Sequence, residues 1–420
     1  MTAIELFPTM RRIGARLSPL NPGRRGSRMS QDELDSTDAA AKVPPLRPRI
    51  DIAMRHPTPE TQERVMHRDR GMHLARQEAW DRLSHEIRAA EAKRELTSGG
   101  TPVAALLSRG ARHDAVKAAR DAILVGDIAG GFDALIALHD DLREGCPGDH
   151  AVKHVVAAAY LDLAQICAGG QSLGKLSPNL RKTHDRALET AYQLVDRFDP
   201  FANDSPLWAA VRCGVLPADP APEQRVADDY EDVIELDPGC PGHLRAMGRD
   251  LLPARFGSYG LLDQQARRVV GQTSDVWGTG AYSIVMAGAT EMDPGVLNHI
   301  DSDLFAEGVY EILTRFPSPH YANIFAAFTG LIVPSTGIDT PVTRQIIGCF
   351  DWIIADYLTE LHPILWAEAR RPGTAPRRDG DPIRRGRNRA EQAISQRIGS
   401  FLHEGESIVF TASGMRISKD

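Results

Sequence analysis

The stretch between residues 243 and 282 contains a group of polar and aromatic side chains suited to binding a ligand. On a helix, His243 would share one side with Asp250, while Arg245 and Arg249 would share another. An arginine guanidinium donates paired hydrogen bonds to anionic groups, so the stretch predicts a concave polar site for an anionic group or a peptide terminus. The structural alternative is that these arginines pair with nearby acids and that the tryptophan fills a gap between helices. The candidate ligand-binding residues are His243, Arg245, Arg249, Arg255, Tyr259, Trp277, Tyr282, His320 and Asn323.

Two glycine-containing motifs match catalytic or cofactor-binding patterns only in part. The stretch 170–174 fits Gly-x-Ser-x-Gly, but a nucleophile elbow needs a strand before the serine, and here an amphipathic helix precedes it. Gly278 and Gly280 form half of a dinucleotide fingerprint that lacks both the strand and the third glycine. We interpret both motifs as structural and expect no catalytic residues and no cofactor.

The five cysteines give no sign of a metal or disulfide framework. We find neither a Cys-x-x-Cys pair nor a ligand spacing of cysteine and histidine, so neither a zinc site nor a disulfide framework is indicated. We therefore expect no metal site and free, buried thiols in a reducing compartment, which favours a cytoplasmic location. The cysteines are Cys146, Cys167, Cys213, Cys240 and Cys349.

The candidate residues lie in a chain whose sequence predicts mainly α-helices. Ser-Pro or Thr-Pro pairs precede several apolar stretches of helical period, as expected when a hydroxyl caps a helix and proline occupies its first position. The pattern predicts about a dozen helices, of which the first runs over 59–97 with a bend at Gly71, and a small strand hairpin over 407–418. The six pairs are Thr58-Pro59, Thr101-Pro102, Ser177-Pro178, Ser205-Pro206, Ser318-Pro319 and Thr340-Pro341.

Several predicted helices end in a similar short sequence that finishes with Asp-Pro, and these sequences recur at irregular intervals. The segment Tyr230–Pro238 resembles the end of the second helix of a tetratricopeptide repeat (TPR). The segment His243–Tyr259, together with Trp277–Gly280, is similar to the central part of an uncharacterised bacterial family of TPR-like helical proteins. This resemblance implies a helical-repeat fold. Together with the helix and strand signals above, it leads us to expect an all-α fold of stacked antiparallel helical hairpins, a TPR-like α-solenoid with a small C-terminal β-hairpin. It implies no activity, cofactor or catalytic residue.

Composition and charge exclude several classes of protein. The 420 residues are 42% hydrophobic and 25% charged, which excludes a collagen, a wholly disordered chain and a multi-span membrane protein. The longest uncharged apolar stretch is too short for a transmembrane helix. The net charge is −7, and residues 1–31 and 368–389 each carry +5, so the rest carries −17. Such an acidic body should repel nucleic acid.

We expect four segments along the chain. These are a disordered basic, Pro-rich tail over 1–56, a helical-repeat domain over 57–367, an Arg-rich linker over 368–387, and a C-terminal helix with a hairpin over 388–420. Met29 is a plausible native start. The expected function is a non-enzymatic protein or peptide interaction through a concave helical surface. The alternative is an enzyme or small-anion-binding protein whose polar site combines the 243–282 stretch with His320. The oligomeric state stays open.

Overall fold

The computed structural model describes residues 49–170, 173–372, 374, 380–403 and 405–419, with only the main chain at residue 400. Most of the expected N-terminal tail, Met29 included, lies outside these ranges, as does the serine of the Gly-x-Ser-x-Gly motif. The described chain is mostly helical, which confirms the all-α prediction. It forms two compact units, which we call the central unit, Pro59–Val276, and the terminal unit, which joins the residues up to Thr58 with Trp277–Asp420.

The helices of the central unit often begin where the sequence predicts. Ser177 and Ser205 cap their helices by accepting hydrogen bonds from the backbone N–H groups of Leu180 and Trp208. Thr101 does not cap a helix, because its hydroxyl donates to Glu60 instead. The helices are α1 Pro59–Arg76, α2 Trp80–Ala92, α3 Val103–Ala111, α4 His113–Leu124, α5 Ile128–Gly145, α6 His150–Ala168, α7 Pro178–Val195, α8 Pro206–Gly214, α9 Pro222–Leu236, α10 Pro241–Asp250 and α11 Tyr259–Gln272, followed by the short α12 Ser274–Trp277 at the boundary.

Helix α6 lies in the core of the central unit. Its apolar residues pack against side chains from α5, α7 and α8, including Phe132, Leu188 and Trp208. Among the described residues, α6 is also the one helix long and apolar enough to cross a membrane, and 72% of its apolar stretch is buried inside the protein. A core position explains this composition equally well, so the helix is weak evidence for a membrane span.

The prediction of one long helix over 59–97 is wrong. The chain leaves the helix after Arg76, turns through Glu78 with a left-handed backbone (φ 54°), and starts α2 at Trp80. Gly71 does not bend the helix but marks the place where α1 touches α3. A Cβ atom at Gly71 would lie 2.0 Å from the carbonyl oxygen of Leu107, and one at Gly110 would lie 1.9 Å from that of Arg68. The two backbones are therefore in direct contact.

Substituting either glycine of this crossing should destabilise the central unit. We expect Gly71→Ala or Gly110→Ala to lower the free energy of unfolding by about 1–3 kcal/mol, because the added methyl group has to separate two backbones. Gly271→Ala is the matched control, since a Cβ atom added to this helical glycine would have no neighbouring heavy atom within 4 Å and alanine is the better helix former. Urea denaturation of the three variants measures the difference, and equal stabilities would contradict the close contact.

The terminal unit combines seven helices with short strands in its described part. Ser318 and Thr340 cap their helices as predicted. Its elements are α13 Gly280–Thr290, α14 Ser302–Arg315, α15 Pro319–Ala327, α16 Val333–Ser335, α17 Pro341–Trp352, α18 Pro363–Glu368 and α19 Pro382–Ile398, π-helical turns at Phe328–Ile332 and Ile353–Tyr357, and strands β1 Ile50–Asp51, β2 Ala53–Met54, β3 Glu360–Leu361, β4 Glu406–Thr411 and β5 Gly414–Lys419.

The strands join the two ends of the described chain. Strands β4 and β5 pair antiparallel, and β1 adds to β4 in parallel with Ile50 opposite Ile408. Strand β2 pairs in parallel with β3. Residues 50–54 are therefore part of the terminal unit, although the sequence led us to place them in a disordered tail. The last helix begins at Pro382, six residues before the expected 388.

Candidate functional site

The nine candidate ligand-binding residues are divided between the two units. Five lie in the central unit on α10, on the loop that follows it and at the start of α11. Four lie in the terminal unit, where Trp277, Tyr282 and Asn323 are buried and His320 is half-buried. The three buried side chains hold neighbouring elements of their own unit together.

Trp277 and Tyr282 have the contacts of core residues. The indole of Trp277 packs against the rings of Phe316 and Tyr321, with ring centroids 4.7 and 6.1 Å away. The hydroxyl of Tyr282 accepts a hydrogen bond of 2.9 Å from the backbone N–H of Asp301, the residue that caps α14. Trp277 therefore fills a space between helices, which is the role that the structural alternative gives it.

Asn323 acts as a clamp between elements of the terminal unit. Its Nδ2 donates to the carbonyl oxygens of Pro319 and Glu360, at 2.8 and 2.9 Å. Its Oδ1 accepts from the backbone N–H of His362 and from the indole N–H of Trp366, at 2.9 and 2.8 Å. All four hydrogen-bonding positions of the amide are thus used inside the fold.

The neighbouring histidines lie beside this clamp. The ring of His320 lies 6.3 Å from that of His362 and packs edge-on against Tyr321. The Nε2 of His362 is 2.9 Å from the Oε1 of Glu360. These rings belong to the packing around β3 rather than to an exposed site.

Removing the Asn323 amide should destabilise the terminal unit. Asn323→Ala would leave the N–H groups of His362 and Trp366 buried without acceptors, at about 1–3 kcal/mol each. We therefore expect the free energy of unfolding to fall by roughly 2–6 kcal/mol. Asn298→Ala is the control, because Asn298 is exposed. Thermal and chemical unfolding measure the difference, and two equally stable variants would show that the amide is not a structural clamp.

Arg255 lies on a tightly folded loop after α10. The loop is closed by backbone hydrogen bonds from Phe256 to Asp250 and from Gly257 to Leu252, at 3.1 and 3.2 Å. The guanidinium contacts the Asp250 carboxylate at 3.0 Å and lies over the ring of Phe256 at 4.6 Å. The side chain is nevertheless 45% exposed. Arg255 is therefore fixed in position and accessible.

The other candidates of the central unit lie around the same helix. Arg245 and Arg249 are half-buried and one turn apart on α10, and Tyr259 is half-buried as the first residue of α11. His243 is in the first turn of α10, at the opposite end from Arg255. The sequence predicted one concave polar pocket from these residues, whereas the fold places His243 beside the loop that joins α9 to α10.

This loop brings three possible metal ligands together. Pro238 follows the end of α9 and Pro241 starts α10, so the chain between the helices turns tightly. Asp237 lies directly after α9, Cys240 directly before α10, and His243 in the first turn of α10. The three residues are thus spaced three apart along the turn. One ligand atom from each residue lies within 4.8 Å of the other two. The Nε2 of His243 is 3.7 Å from the Oδ2 of Asp237.

The electrostatics of this group favour a positive charge. Asp237 and Cys240 are buried, at 3% and 2% exposure. Burial alone would lower the pKa of His243, but its interactions with Cys240 and Asp237 outweigh burial and raise the pKa to about 10. The Oδ1 of Asp237 and the Nε2 of His243 are buried and make no hydrogen bond within the described part of the chain. The group thus combines a buried carboxylate, a thiol and an imidazole with two polar atoms that have no hydrogen-bond partner.

A cavity of about 190 Å³ adjoins the three residues inside the central unit. Its wall is mostly apolar and includes side chains from α2, α3 and α8. The guanidinium of Arg94 also lines it and is engaged with the carbonyl oxygen of Leu236 at 2.6 Å and with Asp204. The lining residues are Ala90, Glu91, Arg94, Glu95, Pro102, Ala104, Ala105, Pro206, Leu207, Ala210, Asp237, Cys240, Gly242 and His243.

Glu91 is the buried acid of this cavity. Its Oε1 accepts from the hydroxyl of Ser205 at 2.6 Å and from the backbone N–H of Leu207 at 3.2 Å. Burial raises the pKa of Glu91 above its ordinary value, because removal from water penalises the charged carboxylate more than these hydrogen bonds and Arg94 stabilise it. A buried acid with a raised pKa beside a cavity is a common feature of functional sites.

Sequence reasoning found His243 but missed Asp237, Cys240 and Glu91. The first two carried a usable signal, because residues three apart across a proline-bounded turn lie on one side of it. Glu91 carried no such signal, since it is 146 positions before Asp237 and only the packing of α2 against the start of α8 brings it to the cavity. Comparison of the chain with protein-family models, curated proteins and solved structures finds no match.

The pH dependence of stability should reveal the state of Glu91. Because the folded-state pKa is raised, the folded protein binds more protons than the unfolded chain as the pH rises above the ordinary glutamate pKa, and stability falls in that range. Glu91→Gln keeps the acceptor oxygen and removes the ionisation. We expect this variant to gain stability over the wild type between pH 4.5 and neutrality, as measured by urea denaturation across that range.

Glu86 on the same helix provides a control of opposite sign. Its pKa is lowered by the hydrogen bond from Arg70, so its stabilising effect is present above the ordinary glutamate pKa and lost at lower pH. Glu86→Gln should therefore lose stability at neutral pH and approach the wild type in acid. If the stability of both variants relative to the wild type changed with pH in the same direction, the raised pKa of Glu91 would be contradicted.

Proposed function

We propose that the protein is a non-enzymatic interaction protein that binds a protein or peptide partner through its helical surface, in a reducing compartment such as the cytoplasm. We further propose that its helices stack as antiparallel hairpins in a TPR-like solenoid, in keeping with the resemblance to bacterial TPR-like proteins. Such arrays leave a curved surface on which a partner chain can lie.

The fixed but accessible position of Arg255 is the observation that supports this function. An arginine on a surface normally loses side-chain freedom when it binds, which reduces affinity. Arg255 has lost much of that freedom already, because Asp250 and Phe256 hold its guanidinium. Arginines of this kind are frequent among the residues that dominate binding energy in interfaces. The partner would supply an anionic side chain or a carboxyl terminus.

The experiment is capture of partners from the native host by the full chain, compared between variants. Arg255→Ala should lower the yield of a specific partner by at least about tenfold, which corresponds to about 1.4 kcal/mol. Arg267→Ala is the matched control, since Arg267 is equally exposed, at 46%, and is also paired with an aspartate. Loss of the partner with both variants, or with neither, would contradict recognition by Arg255.

A second candidate function is binding of a small ligand, with or without catalysis, at the cavity beside His243. The cavity favours this alternative because a histidine, a cysteine and three acidic residues are among the residues that line it. The buried carboxylate of Asp237 argues against the small anion that the sequence suggested. A metal cation suits the same group better, and its binding would displace the proton of His243.

A further inference from the structure

We propose that Asp237, Cys240 and His243 form a binding site for a divalent transition-metal ion, with Zn²⁺ as the preferred ion. This inference goes beyond the proposed interaction function and concerns the other end of α10. It depends on the proximity of three ligand atoms of different chemistry, on an unused buried carboxylate oxygen, and on the adjoining cavity.

The donor set identifies the class of metal. A thiolate, an imidazole and a carboxylate together suit Zn²⁺ and similar borderline ions, whereas Mg²⁺ and Ca²⁺ prefer oxygen ligands alone. Exposed acidic clusters often occur without an ion, but these residues are not a surface cluster, because Asp237 and Cys240 are almost fully buried. The geometry therefore points to a soft or borderline cation.

The separations between the ligand atoms are close to those of a bound ion. Zinc–ligand bonds of about 2.0–2.3 Å in a tetrahedral arrangement place neighbouring ligand atoms roughly 3.5 Å apart. The Nε2 of His243 and the Oδ2 of Asp237 are already 3.7 Å apart. All the ligand atoms lie within 4.8 Å of one another, so small side-chain rotations complete the site without movement of the helices.

The unused oxygen of Asp237 provides an independent reason. A buried carboxylate oxygen normally has a hydrogen-bond partner, because an unpaired one costs free energy. The side chain of Asp237 is only 4% exposed, yet its Oδ1 has no partner among the residues that the structure describes. A metal ion bound through this oxygen, or through both oxygens of Asp237, would satisfy the carboxylate.

The cavity leaves room for a fourth ligand. All three residues line it, together with Glu91, and its volume of about 190 Å³ exceeds the ~30 Å³ of one water molecule. Because the cavity wall is almost wholly apolar, the ion itself would be the polar partner that holds a fourth ligand there. Three protein ligands and an open position next to a buried acid are the arrangement of a metal site that binds a further small molecule. The site would therefore take a water molecule or a small ligand in its fourth position.

The test uses the full chain after treatment with a chelator and titrates it with Co²⁺, then with Zn²⁺ as competitor. We expect one Co²⁺ per chain with the near-ultraviolet absorption of a cobalt–thiolate bond, and displacement of Co²⁺ by Zn²⁺. Cys240→Ser should abolish the thiolate band and weaken Zn²⁺ binding by at least about 100-fold, because even the loss of an outer-shell partner costs roughly 10- to 100-fold.

Two further variants make the result specific. Asp237→Asn keeps the size of the side chain and removes its charge, so it should weaken binding while the protein stays folded by circular dichroism. Cys146→Ser is the thiol control, since Cys146 is more exposed and lies outside the site. Absence of saturable binding, or equal binding by the wild type and Cys240→Ser, would overturn the proposal.

One outcome would assign the residues a different role. Rapid alkylation of Cys240 without any metal binding would indicate a reactive thiolate–imidazolium pair and would overturn the metal site. The measurement needs no partner protein, so its failure is distinguishable from failure of the proposed interaction. In the same way, Arg255→Ala should bind Co²⁺ as the wild type does, whatever its effect on partner capture.

Discussion

Each unit depends on pairs of helices that approach until their backbones touch. In the central unit this happens at Gly71 and Gly110, where a Cβ atom would overlap a carbonyl oxygen of the opposite helix. In the terminal unit the same contact occurs at Gly308 on α14 and at Gly386 on α19. A chain with 6% aromatic residues has few large side chains with which to fill wide gaps. Helices with many small side chains must approach one another closely to reach the packing density of a protein core.

Close packing leaves little room for unpaired polar groups, so the buried ones are mostly paired within each unit. In the central unit, His154 is within 2.9 Å of the Ser108 hydroxyl, and burial lowers its pKa to about 3, which keeps the ring neutral. In the terminal unit, the side-chain amide of Asn323 makes all four of its possible hydrogen bonds. Asp237, like Ser84 and His362, has a buried side-chain atom without a partner in the described part of the chain. It differs from them because its carboxylate lies with a thiol and an imidazole whose ligand atoms are within 4.8 Å, and this grouping is what makes it a candidate site.

Local signals in the sequence were sufficient for the all-α class and for several helix starts. Ser177, Ser205, Ser318 and Thr340 cap their helices because the hydroxyl and the following proline act within one turn. The break after Arg76 carries no such signal, since no glycine or proline stands there and only packing ends the helix. Strands β1 and β2 have two residues each, and their partners are far away along the chain, in β4 and β3, so no local pattern reveals them.

Part of the candidate site could also be predicted from neighbouring residues, and part depends on residues far apart in the sequence. The spacing of Asp237, Cys240 and His243 is local and was readable in the sequence, whereas Glu91 reaches the cavity through long-range packing. Helix α10, about 15 Å long at roughly 1.5 Å per residue, connects this site at its first turn to the Arg255 loop at its end. Leu244 and Met247 are among the buried residues of this helix. Asp250 at the end of the helix pairs with Arg255. The two proposed sites are thus separate in chemistry and lie at opposite ends of one helix.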